Sequence, residues 1–331
     1  MTDRSSKKRI LVTGGCGYLG SLLIRELARL ASGERLSIRV LDNMEFGSYR
    51  ALMDLPDSAD YEFFEGDILD PAAVRLALRG VESVIHLASL VGTPMGFENP
   101  TWTEQINHWG TARLVELCLV SGVHRFIYVS TYAVYGPGGP FDEDAACRPV
   151  GPYALSIRHA EESILAASPR GLQPTILRMG TLFGSAPAVR FQSVANRLAF
   201  LAGTGRPLTV FGQGEQKRPV IHVRDACAAL VHVLSNDNVT RNRIFNVAAA
   251  NASVIDLVDA IRQSNPDVQV RFTEQDVLTH LSFEVDGTMF RNVGRGWEPA
   301  YSISAGMREL LDHFRGFPST SLLSPIIADI V

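Results

Sequence analysis

The sequence predicts an α/β fold, a doubly wound parallel sheet with a smaller C-terminal lobe. Two observations carry this. Short apolar runs alternate with longer stretches of helical periodicity from the start of the chain. Those runs are apolar on both faces, as strands sandwiched between two layers of helices must be.

Arg9–Thr13 reads as the first buried strand, and a glycine-rich turn follows it. A helix then runs through Leu22, Leu23, Leu27 and Leu30, spaced near 3.6 residues per turn. Further strands are predicted at 37–41, 61–64, 83–87 and 125–129, with helical segments near 71–79 and 103–121. The sheet continues with 174–178 and Arg243–Val247. The rhythm breaks after Arg178. Residues 180–218 and 251–315 are assigned to the smaller lobe, with 8–179 and the returning segment 219–250 forming the main body. The tail, 316–331, is apolar at its end and carries Pro325. It docks on the body or on a partner, or is a loosely held terminus.

Bulk properties exclude several classes. The chain has 331 residues, 46% hydrophobic and 20% charged, an ordinary globular balance. A net charge of -4 gives no electrostatic footprint for nucleic acid. No apolar run approaches the ~20 residues of a membrane helix, and the first residues lack the pattern of a secretion signal. Cys16, Cys118, Cys147 and Cys227 are not spaced as a metal knuckle or redox pair. A cytoplasmic protein with reduced thiols and no metal is expected.

The turn after the first strand is Thr13-Gly14-Gly15-Cys16-Gly17-Tyr18-Leu19-Gly20. Gly14, Gly17 and Gly20 keep the spacing of a dinucleotide loop. One glycine permits the tight turn, one lets backbone N–H groups approach a pyrophosphate, and one lets the helix pack on the strand. Tyr18 and Leu19 open the helix, whose N-terminus faces the phosphates. The context of strand, turn and helix makes this a Rossmann cofactor site. Asp42 ends the second strand. A carboxylate there accepts from ribose hydroxyls and repels a 2′-phosphate, which points to NAD rather than NADP. A surface turn aspartate is the plain alternative.

Further blocks follow in order: Gly66-Asp67-Ile68, His86-Leu87-Ala88-Ser89, Asn107, Ser130-Thr131-Tyr132-Ala133-Val134-Tyr135-Gly136, Tyr153-Ala154-Leu155-Ser156, Leu177-Arg178 and Arg218-Pro219-Val220-Ile221-His222-Val223. On these blocks the chain resembles the extended short-chain dehydrogenase/reductase family of nucleotide-sugar epimerases and dehydratases, over about 8–315. The resemblance implies that Asp67 and Ile68 contact the adenine and that Leu87, Ala88 and Ser89 line the nicotinamide half. It makes Tyr153 the catalytic acid/base and puts Thr131 at the reacting sugar oxygen. It brings Arg218, with Arg190 and Asn196, to the diphosphate of a nucleotide sugar, and puts Thr181 where many sugar-modifying relatives carry asparagine. Asn107 and His222 are expected to be structural. The resemblance also implies a homodimer through the helices near 103–121 and 153–168. Leu114, Leu117, Ile157 and Ile164 would serve such an interface or ordinary core burial equally well.

Two departures matter. The family carries a lysine four residues after the tyrosine, on the same helix face. Here that residue is Ile157. An ammonium there would hold the nicotinamide ribose and lower the phenol pKa; isoleucine does neither. Arg158 and His159 point elsewhere, since one residue turns the helix by ~100°, so a replacement cation must come from another segment. Also, the dehydratase Asp-Glu pair after the threonine is Tyr132-Ala133 here, which disfavours 4,6-dehydration. The expected function is an NAD-dependent epimerase or ketoreductase acting by hydride transfer. The alternative is a lysine-less, silent or repurposed NAD-binding member.

Overall fold

The computed structural model describes residues 8–29, 36–92, 98–273, 281–294 and 296–315. The predicted tail, 316–331, lies outside them, as does Leu30.

Its centre is a seven-stranded, wholly parallel sheet. In chain order the strands are β1 (Arg9–Thr13), β2 (Leu36–Asp42), β3 (Ala59–Glu65), β4 (Ser83–His86), β5 (Arg125–Thr131), β6 (Gly138–Phe141), β7 (Gln173–Met179), β8 (Thr181–Phe183), β9 (Leu208–Phe211), β10 (Lys217–His222), β11 (Arg243–Val247), β12 (Ala250–Ser253), β13 (Val270–Thr273) and β14 (Phe283–Val285). The main sheet is ordered β11-β7-β5-β4-β1-β2-β3. The chain winds outward from β1 to β3, then returns to β4 and winds the other way. The carboxyl ends of β1 and β4 therefore flank the switch point, the crevice where such sheets bind ligands.

Each predicted strand is present; four extend by two or three residues, two keep their bounds and β4 ends one residue earlier. The core lies on both faces of the sheet. One cluster packs helix Tyr18–Arg29 and helix Val223–Ser235 beneath β1, β2 and β11, around Leu23, Ile24, Leu27 and Leu230. The other joins helix Thr111–Val120 and helix Pro152–Ala166 to β4 and β5, around Leu114, Val115, Phe126 and Ile164. Leu114, Leu117, Ile157 and Ile164 are all core residues, no more than 8% exposed. That stripe is therefore explained by burial within the chain, not by an interface.

The helix predicted near 103–121 is three pieces: Pro100–Glu104, a π-helical turn Gln105–Gly110, and Thr111–Val120. A π turn carries one residue too many per turn, a register shift that apolar periodicity does not reveal. The irregular reading of 180–218 also needs amending. Three short strands, β8, β9 and β10, and helix Val194–Gly203 lie there. Strands of three to six residues interrupted by glycine and proline are too short to show a period. The helix packs with Leu257, Val258, Ile261, Met307 and Leu310 in a third cluster of its own.

Candidate active site

The glycine turn is shaped for close approach. Gly14 has φ +68°, and a Cβ on it would come within 2.7 Å of the Ala88 backbone nitrogen. A Cβ on Gly20 would lie 2.6 Å from Gly15 Cα and closer still to the Gly14 carbonyl. The loop and the first turn of helix Tyr18–Arg29 thus exist in this form only with glycine at both places. They leave a side-chain-free cradle at a helix N-terminus, which fits a pyrophosphate.

Asp42 is buried rather than a surface turn residue, at 8% exposure. Its Oδ2 accepts from the Cys16 N–H and its Oδ1 from the Met44 N–H, both at 2.9 Å. The carboxylate is oriented by backbone and keeps acceptor capacity on each oxygen. Asp67 makes a local turn, accepting from the Leu69 N–H at 2.8 Å and from the Asn43 amide at 2.8 Å. Ile68 is buried against Gly110. Leu87, Ala88 and Ser89 run from the end of β4, with Leu87 N–H bonded to the Thr13 carbonyl at 3.1 Å.

His86 is fully buried between Thr13 Oγ1, 2.6 Å from Nδ1, and Thr111 Oγ1, 2.8 Å from Nε2. Burial pushes its pKa down from 6.5 to about 3. The unfolded chain therefore takes up this proton first as pH falls, and stability is lost across that window. The slope from this one group approaches ~1.4 kcal/mol per pH unit. Urea unfolding at pH 7 and pH 5 is expected to show a smaller acid loss in His86→Gln than in the native chain. Equal losses would exclude His86 as the source.

At the carboxyl end of β5, Thr131 caps the turn that follows, its Oγ1 accepting from the Ala133 N–H at 3.2 Å. Tyr153 stands one residue into helix Pro152–Ala166, where the Thr131 hydroxyl and the Arg190 charge both act on its phenol. Burial pushes the phenol up to about 12, while the Arg190 charge and the Thr131 hydroxyl oppose that rise. Tyr132, next to Thr131, turns its hydroxyl to Thr181 Oγ1 at 3.2 Å and its ring edge to Phe283, 5.6 Å between centroids. The Arg218 guanidinium lies 4.9 Å over that same Phe283 ring and donates to the Leu281 and Lys217 carbonyls. Thr131, Tyr153, Thr181 and Arg218 thus share one continuous wall.

Ile157, where an ammonium was sought, is 2% exposed and packed in the core. A cation that does act on the phenol is Arg190, which donates through Nη2 to the Val91 carbonyl just beyond β4. Its carbonyl is gripped by Asn196 Nδ2 at 2.9 Å. Asn196 itself requires a correction. It is fully buried: its amide also donates to the Tyr18 hydroxyl at 3.0 Å, and its Oδ1 accepts from the Gly184 N–H at 3.0 Å. With both ends engaged inside the protein it has no hydrogen left for a substrate diphosphate. The Tyr18 phenol donates in turn to the Gly184 carbonyl at 2.5 Å.

Asn107 and His222 are both buried with their polar atoms engaged inside the protein. Asn107 is buried and spans the Leu90 backbone and Ser156 Oγ; His222 is buried 2.9 Å from Glu309. Two participants went unnoticed in the sequence. Tyr132, at a position where dehydratases carry aspartate, is joined to Thr181 and Phe283. Glu161 is buried against the end of β5, accepting from Ser130 Oγ at 2.6 Å and from Arg178 at 2.8 and 3.0 Å. Arg178 inside an otherwise apolar strand was the available signal, because a buried guanidinium demands a carboxylate.

A crevice of this kind, with a glycine cradle on one side and a phenol–hydroxyl pair on the other, defines a dinucleotide-binding α/β oxidoreductase. More specifically, the chain belongs to the NAD-dependent epimerase/dehydratase family, whose model matches residues 10–248. It is similar to the low-salt glycan biosynthesis protein Agl12 of Haloferax volcanii, 27% identical over 93% of this chain and 98% of that one. It is 30% identical to a dTDP-glucose 4,6-dehydratase of Streptomyces niveus, over 68% of each chain. Among solved structures, UDP-glucose 4-epimerase of Thermus thermophilus with NAD superposes with a TM-score of 0.79 at 25% identity, covering 93% of this chain and 99% of that one. Among the described residues no helix is long and apolar enough to cross a membrane.

Proposed function

We propose that the chain is an NAD-dependent nucleotide-sugar epimerase or ketoreductase, with Tyr153 and Thr131 at the reacting oxygen. The observation that carries this is the convergence of the Thr131 hydroxyl and the Arg190 charge on the Tyr153 phenol. Gly14, Gly17 and Gly20 with Tyr18 and Leu19 would hold the pyrophosphate, Asp42 the adenosine ribose, Asp67 and Ile68 the adenine, and Leu87, Ala88 and Ser89 the nicotinamide half. Bound NAD supplies the hydride acceptor or donor. Thr131 orients the sugar oxygen, and Tyr153 gives or takes its proton. Thr181 and Arg218 border the sugar side, within the smaller lobe formed by 180–218 and 251–315.

The direction of proton flow follows from the pKa. With the phenol near 12, only about one molecule in 10⁵ is tyrosinate at pH 7. Proton donation, as in ketone reduction, is available at once. Proton removal from an alcohol should gain about tenfold in rate per pH unit until another step limits it. Arg190→Met should weaken the removal direction further, moving its profile to higher pH at the same slope. No carboxylate stands at Tyr132 or Ala133, which argues against elimination at C6. Family membership favours this reading over a catalytically silent one.

The test is to mix the protein with NAD and UDP- or dTDP-hexoses, following reduced-nicotinamide absorbance and the product's C4 configuration by NMR. Epimerised or reduced sugar is expected. A 4-keto-6-deoxy product, or no cycling with any nucleotide sugar, would overturn the reading. We also infer a homodimer formed through the outer face of 100–120 and 152–166, where Trp109 is 60% and Leu155 44% exposed. Residence in the cytoplasm is inferred from four free thiols, three of them buried.

A further inference from the structure

Away from the crevice, helix Pro152–Ala166 and the segment Pro100–Gly110 bring two imidazoles and a carboxylate together. Glu104 ends the short helix, His108 lies one turn later within the π turn, and His159 faces them from the neighbouring helix. The Nδ1 of His108 is 2.7 Å and the Nδ1 of His159 2.8 Å from the same oxygen, Glu104 Oε1. All three ligand atoms lie within 4.8 Å of one another. The rings are 5.2 Å apart. The group borders a surface cleft of about 920 Å³, also lined by Pro100, Trp109 and Leu155.

From this convergence we propose that Glu104, His108 and His159 form a binding site for a divalent first-row transition-metal ion, zinc in the first instance. Two imidazoles and one carboxylate are a borderline donor set of the kind zinc takes, with a fourth position left to water. Ligand atoms around tetrahedral zinc stand ~3.3 Å apart, given bonds of 2.0–2.2 Å, so each imidazole needs to part from the Glu104 oxygen by only about half an ångström. The ring of His108 is already oriented for the required tautomer. A metal on Nδ1 requires the proton on Nε2, and His108 Nε2 lies 3.2 Å from Ser163 Oγ, an acceptor that fixes the ring. The three side chains are 16% to 36% exposed, so an ion can enter from the cleft. Cysteine spacing reveals none of this, because the third ligand comes from a helix some fifty residues away in the chain.

Without metal, both Nδ1 atoms must carry protons to serve one carboxylate oxygen. With zinc, both lone pairs and the carboxylate are used directly. The ion would then clamp the helix that begins with Tyr153 to the segment packed beside it.

The experiment uses the full chain freed of any affinity tag and pretreated with chelator. Equilibrium dialysis should find one Zn²⁺ per chain. Co²⁺ should give the visible absorption of a tetrahedral site, and Cu²⁺ should quench the fluorescence of Trp109, whose ring is 4.5 Å from that of His108. His159→Ala and Glu104→Gln should each lower the zinc affinity at least tenfold while NAD binding persists, and Ser163→Ala should lower it ~10-fold through the ring orientation. Uptake unchanged in His108→Ala/His159→Ala, or no uptake at all in a chain that binds NAD, overturns the proposal. Because the cleft lies on the face inferred to meet a second copy, mass is followed through the titration. Zinc taken up only as the mass doubles would overturn a site built within one chain.

Discussion

Glu161→Ala is expected to destabilise the protein by ~3–5 kcal/mol, the cost of leaving one member of a buried ion pair alone. Glu161 is 0% and Arg178 2% exposed. Two Arg178 nitrogens meet the two Glu161 oxygens at 3.0 and 2.8 Å, and the guanidinium stacks 4.6 Å over the Tyr135 ring. Arg158 adds a further contact from the surface at 3.0 Å. Removing the carboxylate strands a guanidinium that has no route to water, and it also takes the partner of Ser130. Against a total stability of order 5–15 kcal/mol this is a large fraction. Urea unfolding followed by circular dichroism reads the change. The double variant Glu161→Leu/Arg178→Met should recover most of the loss, because desolvation of the pair consumes much of its attraction. A single variant within 1 kcal/mol of the native chain would mean that the pair is hydrated.

Tyr153→Phe is expected to lower turnover ~10²–10⁴-fold, the range for a lost proton-transfer group, with NAD affinity nearly unchanged. The substitution deletes one oxygen and leaves the ring in place. Thr131 keeps its backbone contact with Ala133. Turnover at saturating nucleotide sugar and cofactor affinity by calorimetry are read side by side. If both fall together, the phenol serves binding rather than proton transfer. If neither falls, the proton moves through another group, and Tyr132, joined to Thr181, is the neighbour to replace next.

The fold was largely legible because its signals are local. Strands such as β5 and β7 are apolar on both faces, and Gly14 and Gly20 stand where any Cβ would collide with backbone. Those constraints belong to single positions and their immediate neighbours. The candidate site was legible only where a residue type implied its chemistry, as with Tyr153, Thr131 and Asp42. The rest arises between distant segments. Nothing in the run around Arg190 says that its guanidinium reaches Val91, ninety-nine residues earlier. Asn196 had the composition of a diphosphate ligand, and only packing shows its amide consumed by Tyr18, Arg190 and Gly184. The π turn at Gln105–Gly110 escapes because its extra residue shifts the register between two helices that both pack on one cluster.

Tyr18 carries a consequence for how the two halves of the crevice behave. The residue that opens the helix behind the glycine cradle ends in a phenol bound to the Gly184 carbonyl and the Asn196 amide, 166 and 178 residues further on. Through Asn196, which also holds the Arg190 carbonyl, the first turn of that helix is tied to the segment that carries the charge acting on Tyr153.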